Sequence, residues 1–600
     1  MRIAKLPLSI LIFFTVVFYA YSQEQTNERA RWFIDARYGM FIHWGVYSGA
    51  EGVWKGERHR DGNDYAEWIQ YRNRIDQKEY LTLLDRFKWD QIDPEKWVVL
   101  AKNAGMKYVV ITAKHHDGFA LWDSKVSRYD LTDFTNPGRD IIKELAAACK
   151  KHGLKLGLYY SHWIDWEHQY GWDHTKEITG LSNENYDRYW QGKVIPQMRE
   201  LLTGYGPVSI IWFDMWINHS RTVVSKDQLM QLKGLIRDLQ PGCLINSRLG
   251  LSMKEDNDID FEELGDNQLG NMSRDFPWQS PATVADSWGY NRLDTEWKST
   301  SKLLQSLIGN VSLNGNFLLN IGPKANGEVP FEISQRLLEI GDWLQTNGES
   351  VYGCGAFTLP KDQHDWGKIT FKKTDSEVTL YLHLFNYPFD NKLNITGIAS
   401  PPARVYFLGD KEKKPLHFIH NIALTTVKLP AESPERYVPV LVMEYPVLPE
   451  TTGGLTAKNL EGGYSMTPQN LAVQVENLKM SGRERLGTIP AHYQITKKTT
   501  LRWKIFVDQP GSKGVDVSYS YQGAKMKNVI VLKAAQESIV HNILSTGKTV
   551  VEPGQNYHVD NYKSARLGNI SFPETGFYDI VLEIDPKDGE EVSFQWLWLK

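Results

Sequence analysis

Between Tyr38 and Ile321 the chain repeats one pattern: a short apolar run, a polar residue or cluster where the run stops, then an amphipathic stretch. The apolar runs are 38–44, 108–113, 154–160, 208–213, 243–247, 258–261 and 317–321; between them lie stretches such as Asp140–His152 and Ser225–Leu239, with apolar residues at helical spacing. Continuous apolar runs mark strands buried on both faces, and their alternation with helices predicts parallel pairing. The pattern therefore predicts an α/β fold, a (β/α)8-like barrel over residues 23–355. In such a barrel functional groups gather at the C-terminal strand ends. The residues found there are His43, His115-His116, Tyr160-Ser161-His162, Asp214 and Arg248.

The 600 residues exceed what one core supports. Beyond Tyr352 the texture turns to short alternating segments such as Val378–Leu384, which predicts a β-sandwich over 356–450. A Pro/Gly/Thr-rich linker, Pro446–Gly454, leads to a second expected β-sandwich at 455–600, a packing or carbohydrate-contact module. At the start, Arg2 and Lys5 precede an apolar run and the small-x-small triplet Ala20-Tyr21-Ser22, the form of a cleavable signal peptide over 1–22. That run is shorter than the ~20 residues a spanning helix needs, and no later stretch is long and apolar enough. The expected location is secreted or periplasmic. The sparse cysteines, Cys149, Cys243 and Cys354, suit a bacterial periplasm better than a disulfide-stapled extracellular protein. A formal charge of −4 spread along the chain argues against a nucleic-acid partner.

Asp214 stands out because Trp212, Phe213, Met215 and Trp216 surround it, and a carboxylate in apolar company needs a partner to stay ionised. Arg248, at the next strand end, is the expected partner. His115 and His116 can both turn into a cleft where their strand stops. A metal site is the rival reading of these groups, but the spacing lacks a His-x-x-x-His or similar ligand pattern, so no metal and no cofactor is expected. The Gly-rich segment Asn314–Glu328 lacks the Lys-Ser/Thr of a phosphate loop and reads as turns.

Taken together, Met40-Phe41-Ile42-His43-Trp44-Gly45, Lys114-His115-His116-Asp117-Gly118-Phe119, Trp212-Phe213-Asp214, Ser287-Trp288-Gly289-Tyr290-Asn291 and Asn316-Phe317-Leu318-Leu319-Asn320-Ile321-Gly322-Pro323 resemble the α-L-fucosidases of glycoside hydrolase family 29. The resemblance covers roughly residues 30–355. It implies a retaining double displacement with Asp214 as nucleophile. It also implies that His43, His115, His116 and Glu67 bind sugar hydroxyls, that Trp68, Tyr160, Trp212 and Trp288 complete the pocket, and that Arg248 accompanies the nucleophile. The expected substrate is a terminal α-L-fucose on an oligosaccharide or polysaccharide.

One position departs from the family pattern. Where many members carry an acid/base glutamate in a Trp-Glu pair, this chain has Trp278-Gln279, and an amide cannot supply and retrieve a proton. Where other members place that carboxylate, the aligned residue is Gly265, which makes Glu263 and Asp266 the candidate acid/base residues. Two alternatives follow. One is an α-L-galactosidase, possible substrates including the sulfated L-galactose of marine polysaccharides, with Lys55, Arg58 and Arg60 as candidate sulfate contacts. The other is a glycan-binding protein with impaired catalysis, against which the retained Asp214 argues.

Overall fold

The computed structural model describes residues 28–58, 65–135, 138–172, 181–357, 359, 364–476, 478, 480–483, 489–548, 550–551, 558–559, 561–587 and 589–600. The expected signal peptide lies outside the described residues. Parallel strands β1 (Tyr38–Ile42), β2 (Tyr108–Lys114), β3 (Lys155–Tyr160), β4 (Ile210–Trp212), β5 (Leu244–Ile245), β6 (Glu262–Glu263), β7 (Trp278–Thr283) and β8 (Gly315–Ile321) form one 8-stranded sheet in the order β5-β4-β3-β2-β1-β8-β7-β6. Its two ends meet. Asn246 pairs with Phe261 in parallel register, the Asp260 amide donates to Ile245 O at 3.0 Å and the Ser247 amide to Phe261 O at 2.9 Å, which curls the sheet into the expected barrel.

The two sheet faces carry two separate cores. Phe41, Tyr108, Val110, Tyr159, Ile210, Trp212 and Leu318 fill the barrel interior. Met40, Ile42, Val109, Ile111, Leu158, Tyr160, Ile211 and Phe213 face the surrounding helices. Strand side chains alternate faces, so this parity decides which residue at each strand end looks into the barrel mouth. Each large apolar side chain buried this way contributes about 1.5–3 kcal/mol.

The helices between strands have firm ends. Ile141–His152 begins at Asp140, whose carboxylate accepts from the Lys143 amide, and stops at Gly153, which takes a left-handed φ of 75°. Lys226–Leu239 begins with a capping box in which Ser225 and Gln228 satisfy each other's amides. Two strands depart from the sequence expectation. The run 258–261 is mostly connection: Asp258 and Asp260 pair with Arg237, and the strand proper is Glu262–Glu263. Strand β7, with sequence WQSPAT, was not among the apolar runs because half of it is polar.

From Gly355 the chain builds a five-stranded antiparallel sheet and a three-stranded sheet over a core that includes Leu380, Leu382, Leu393 and Leu441. This unit docks on the helix Phe331–Asn347, where the Trp343 indole donates to Val438 O at 2.8 Å. From Tyr464 onward, a six-stranded and a four-stranded antiparallel sheet enclose Tyr464, Trp503, Ile580 and Phe594. Among the described residues no helix is long and apolar enough to cross a membrane.

Candidate active site

At the C-terminal end of the barrel lies a pocket of about 270 Å³, lined by Phe41, His43, Tyr65, Glu67, Trp68, Arg72, His115, His116, Tyr159, Trp212, Asp214, Trp216, Arg248, Gly265, Asp266 and Trp288. Of the residues expected from sequence, His43, Glu67, Trp68, His115, His116, Trp212, Asp214, Arg248, Asp266 and Trp288 converge here. Tyr160 and Glu263 do not line it.

Asp214 follows β4, and the way that strand ends sets its direction. The Asn246 side chain accepts from the Phe213 amide at 2.9 Å and donates to Phe213 O at 3.0 Å, so a side chain continues the ladder where backbone pairing stops. The Asp214 carbonyl accepts from the Trp163 indole at 2.8 Å. Its carboxylate accepts from Arg248 Nη1 at 2.6 Å through Oδ1 and from the Tyr159 hydroxyl at 3.0 Å through Oδ2, with His116 Nε2 at 3.5 Å from Oδ2. Burial alone would raise this carboxyl's pKa. The His116 and Arg248 contacts outweigh burial and hold it well below the usual carboxylate range. The group is an anion poised in a nearly dry cleft.

Arg248 joins two carboxylates. Its Nη2 donates to Asp266 Oδ1 at 2.8 Å and to Leu264 O at 2.6 Å, and its guanidinium lies 5.3 Å from the Trp212 ring. Burial disfavours its charge, but Asp266 and Asp214 more than compensate and keep it protonated. Asp266 has a side chain 42% exposed, so it stands at the mouth of the pocket.

The histidines are set by their second nitrogens. Asn320 donates through Nδ2 to Trp288 O at 2.7 Å, which turns its Oδ1 toward His43 Nδ1 at 2.7 Å. His43 Nδ1 therefore carries the proton, and Nε2 is left as an acceptor. Burial lowers the His43 pKa to about 4 and pushes that of His115 well below its ordinary value, so both rings are neutral at physiological pH. His115 Nδ1 is buried with no hydrogen-bond partner among the described residues. His116 Nδ1 lies 2.7 Å from Ser161 Oγ, which itself donates to Ile164 O. Beneath this loop the buried Lys114 amine, 2.8 Å from Asp165 Oδ2, pins the segment after β3 to the end of β2.

Glu67 sits in a turn clamped by the motif 287–290. The Ala66 amide donates to Ser287 Oγ and the Gly289 amide to Glu67 Oε2, both at 2.9 Å. Gly322 permits the approach: a Cβ there would lie 2.8 Å from both Trp288 O and Tyr290 N. Burial raises the Glu67 pKa to about 7, against the lowering effect of its backbone hydrogen bonds. A carboxyl poised between donor and acceptor suits a pair of sugar hydroxyls.

Two sequence expectations need correction. Tyr160 lies on the outer face of β3, buried against the helices, and donates to Gln197 Oε1 at 2.9 Å. Its neighbour Tyr159 takes the pocket position, with its ring 5.4 Å from both Trp212 and His115 in stacked arrangement. Glu263 points into the barrel interior beneath the pocket, where its Oε2 accepts from the Trp212 indole at 3.0 Å. Gln279, on β7, shares that interior position: Oε1 accepts from the same indole at 3.1 Å and Nε2 donates to the Tyr108 hydroxyl at 2.6 Å. Burial pushes the Glu263 pKa well above its ordinary value, against the pull of Arg248 and the hydrogen bond from the Trp212 indole. Of the two acid/base candidates only Asp266 reaches the pocket. The sequence reading also passed over Phe41, Tyr65, Arg72 and Trp216 as lining residues, although Phe41, Tyr65 and Trp216 fall inside or beside its own motifs.

Two of the three candidate sulfate contacts can be placed, and neither is at the pocket. Lys55 pairs with Glu79, neither Lys55 nor Arg58 lines the pocket, and Arg60 is outside the described residues.

The arrangement can therefore do carbohydrate chemistry: an anion beside a ring-sized pocket that holds the neutral imidazoles of His43 and His115, a second carboxylate at the mouth, and indole and phenol walls. Comparison with known proteins points the same way. The family model for alpha-L-fucosidase matches residues 17–349. An alpha-L-fucosidase of Dictyostelium discoideum is 29% identical over 467 residues, covering 72% of this chain and 97% of that protein. The crystal structure of alpha-L-fucosidase from Vibrio sp. strain EJY3 superposes with a TM-score of 0.74 at 26% identity, covering 97% of this chain and 99% of the other. A family 29 alpha-L-fucosidase from Bacteroides thetaiotaomicron, solved as a trapped covalent intermediate with 2-fluoro-fucosyl fluoride, gives a TM-score of 0.61 at 28% identity over 70% of this chain and 97% of its own. The family match contains all eight barrel strands and every residue that lines the pocket, and the chain belongs to the α-L-fucosidases, glycoside hydrolases of family 29.

Proposed function

We propose that this protein is a secreted or periplasmic, exo-acting α-L-fucosidase that works with retention through Asp214 and Asp266. The observation that carries the reading is the single guanidinium shared by the two carboxylates. One Arg248 nitrogen binds Asp214 and the other binds Asp266, which holds the two carboxyl groups at one cation, as a pair flanking one scissile bond requires. The pocket's volume of about 270 Å³ suits one pyranose ring, not a run of sugars, which supports exo action.

In this mechanism Asp214 attacks the anomeric carbon while Asp266 protonates the departing oxygen. Asp214 then becomes a neutral ester, and Arg248 is left with Asp266 as its one anionic partner. Water then attacks the anomeric carbon, Asp266 takes its proton, and the Asp214 ester bond breaks to return the carboxylate. His43, His115 and Glu67 hold the ring hydroxyls, and Trp68 and Trp288 present aromatic walls. The covalent intermediate trapped in the Bacteroides relative supports the same two-step course here. The signal-like pattern of residues 1–22 supports export, and the three cysteines are free and buried, consistent with a fold that needs no disulfide.

The test is hydrolysis of 4-nitrophenyl α-L-fucoside and of the matching α-L-galactoside by the purified protein and by Asp214→Asn. The expected result is turnover of the fucoside, no turnover by the variant, and retained fucose binding by calorimetry. An active Asp214→Asn refutes the nucleophile assignment, and preference for the galactoside replaces the glycon.

A further inference from the structure

The pocket has a buried end and an open end, and they differ in chemistry. His43 and His115 are each 5% exposed and Glu67 1%, so the glycon's hydroxyls are read at the closed end. At the open end stand Asp266 and Trp216, the latter 45% exposed and the most open large aromatic of the lining. Trp216 follows the nucleophile by two residues, so the same strand end that aims Asp214 inward carries this indole outward to the rim. Its tilt is fixed by neighbours: Trp163 meets it edge-on at 4.8 Å and 82°, His116 lies 5.8 Å away and Trp68 6.2 Å. A large aromatic surface held rigid costs little entropy when a ligand settles on it.

From this we infer that Trp216 forms the subsite for the leaving group, and that the leaving group it fits is a pyranose with an apolar C–H face, such as a galactose, glucose or N-acetylhexosamine residue, stacked on the indole. The inference rests on the fucosidase reading and adds to it the class of sugar on the reducing side of the scissile bond. The position follows from the acid: Asp266 has to reach the glycosidic oxygen, so the atoms beyond that oxygen emerge at the same rim, where Trp216 presents its exposed indole. Arg72 lines the same mouth, with its guanidinium 5.5 Å from the Trp68 ring.

The experiment compares two leaving groups in one set of variants. α-L-Fucosyl fluoride has a leaving group too small to touch Trp216 and needs no stacking; α-L-fucosyl disaccharides of the three hexoses have a ring at that place. In the full-length protein, Trp216→Ala is expected to lower kcat/KM on the preferred disaccharide by about 10-fold more than on the fluoride, the size of one aromatic stacking contact. Trp216→Phe is expected to recover part of the disaccharide loss, since it keeps an aromatic face. Equal losses on both substrates would show that Trp216 only supports His116 and Trp163, and would overturn the subsite. No loss on either would overturn it as well. A wild-type protein that leaves the fluoride intact would refute the fucosidase reading itself and the subsite with it.

Discussion

Removing the cation at the centre of the site is the sharpest test of how the nucleophile is kept ionised. In Arg248→Met the 2.6 Å contact to Asp214 Oδ1 is lost, while the Tyr159 hydroxyl at 3.0 Å and His116 at 3.5 Å remain. A charge-assisted bond of this kind contributes about 1.5–3 kcal/mol, and breaking a buried ion pair costs about 3–5 kcal/mol. Taking about 3 kcal/mol, at 1.36 kcal/mol per unit, the Asp214 pKa rises by about 2 units as burial regains the upper hand. The acidic limb of kcat/KM reports this group in the free enzyme, so a pH profile with 4-nitrophenyl α-L-fucoside, whose leaving group needs little protonation, isolates it. The limb is expected to move up by about 2 pH units. The sign for stability is fixed by the same shift: a depressed carboxylate pKa stabilises the fold above the unfolded value, and that contribution disappears as pH falls through the folded one. The variant's Tm deficit is therefore expected to be largest near neutral pH and to narrow in acid. A limb that stays in place while the rate drops would show that Arg248 binds sugar and does not tune the nucleophile.

Asp266→Asn is expected to lower turnover of fucosyl disaccharides by about 10²–10⁴-fold while changing the fluoride far less, and added azide should yield α-L-fucosyl azide by reaction with the glycosyl-enzyme. Product analysis by NMR checks both the role and the stereochemistry, and a uniform loss would remove Asp266 from it. The adjacent tyrosines separate cleanly: Tyr159→Phe should cost about 10-fold or more in kcat/KM with little change in Tm, whereas Tyr160→Phe should leave kcat/KM unchanged and cost about 1 kcal/mol of stability through the lost Gln197 bond. Paired kinetics and melting curves decide it, and the reverse pattern would place Tyr160 in the pocket. Glu67, with a pKa raised to about 7, should weaken fucose binding as it ionises, so Kd rises as pH passes about 7, and Glu67→Gln flattens that dependence. Because its folded pKa is raised, its stabilising effect is complete below the unfolded carboxylate value and is lost as pH rises through about 7; calorimetric titration showing the same pH slope in wild type and variant would refute the assignment.

The barrel was legible because β1, β2, β4 and β8 are buried on both faces, and such strands read as largely apolar runs. Strand β7 escaped notice for a physical reason: Gln279, Ser280 and Thr283 satisfy their polar groups inside the protein, through the Trp212 indole, Gln268 O and Asn267 Oδ1, so no apolar run was required. Asp214 and the histidines were legible because a polar group after an apolar strand announces itself. The choice between Tyr159 and Tyr160 was not, since both are phenols and the chain alone does not reveal where the bulge between Thr112 and Lys114 shifts the parity against β2. Gln279 misled for a similar reason. As a position in a motif it looks like a missing acid; in space it is part of the support under Trp212, and the carboxylate at the mouth, Asp266, comes from the loop before its strand.

The barrel is not equally well sewn all round. Between β2 and β3 many residues pair, but β5 and β6 are two residues each and their seam is closed by one bridge at Asn246 and Phe261. Arg248 and Asp266 stand on the loops at this seam, while Asp214 rises from the neighbouring β4. Asp214 thus rises from a strand paired on both sides, while Asp266 hangs on the hem. Amides along 244–247 and 260–263 should be the first of the barrel to exchange with solvent deuterium. A hem can also be let out or taken in without unpicking a long strand, so a carboxylate carried there can change its place in the sequence while still arriving at the same point above the sugar.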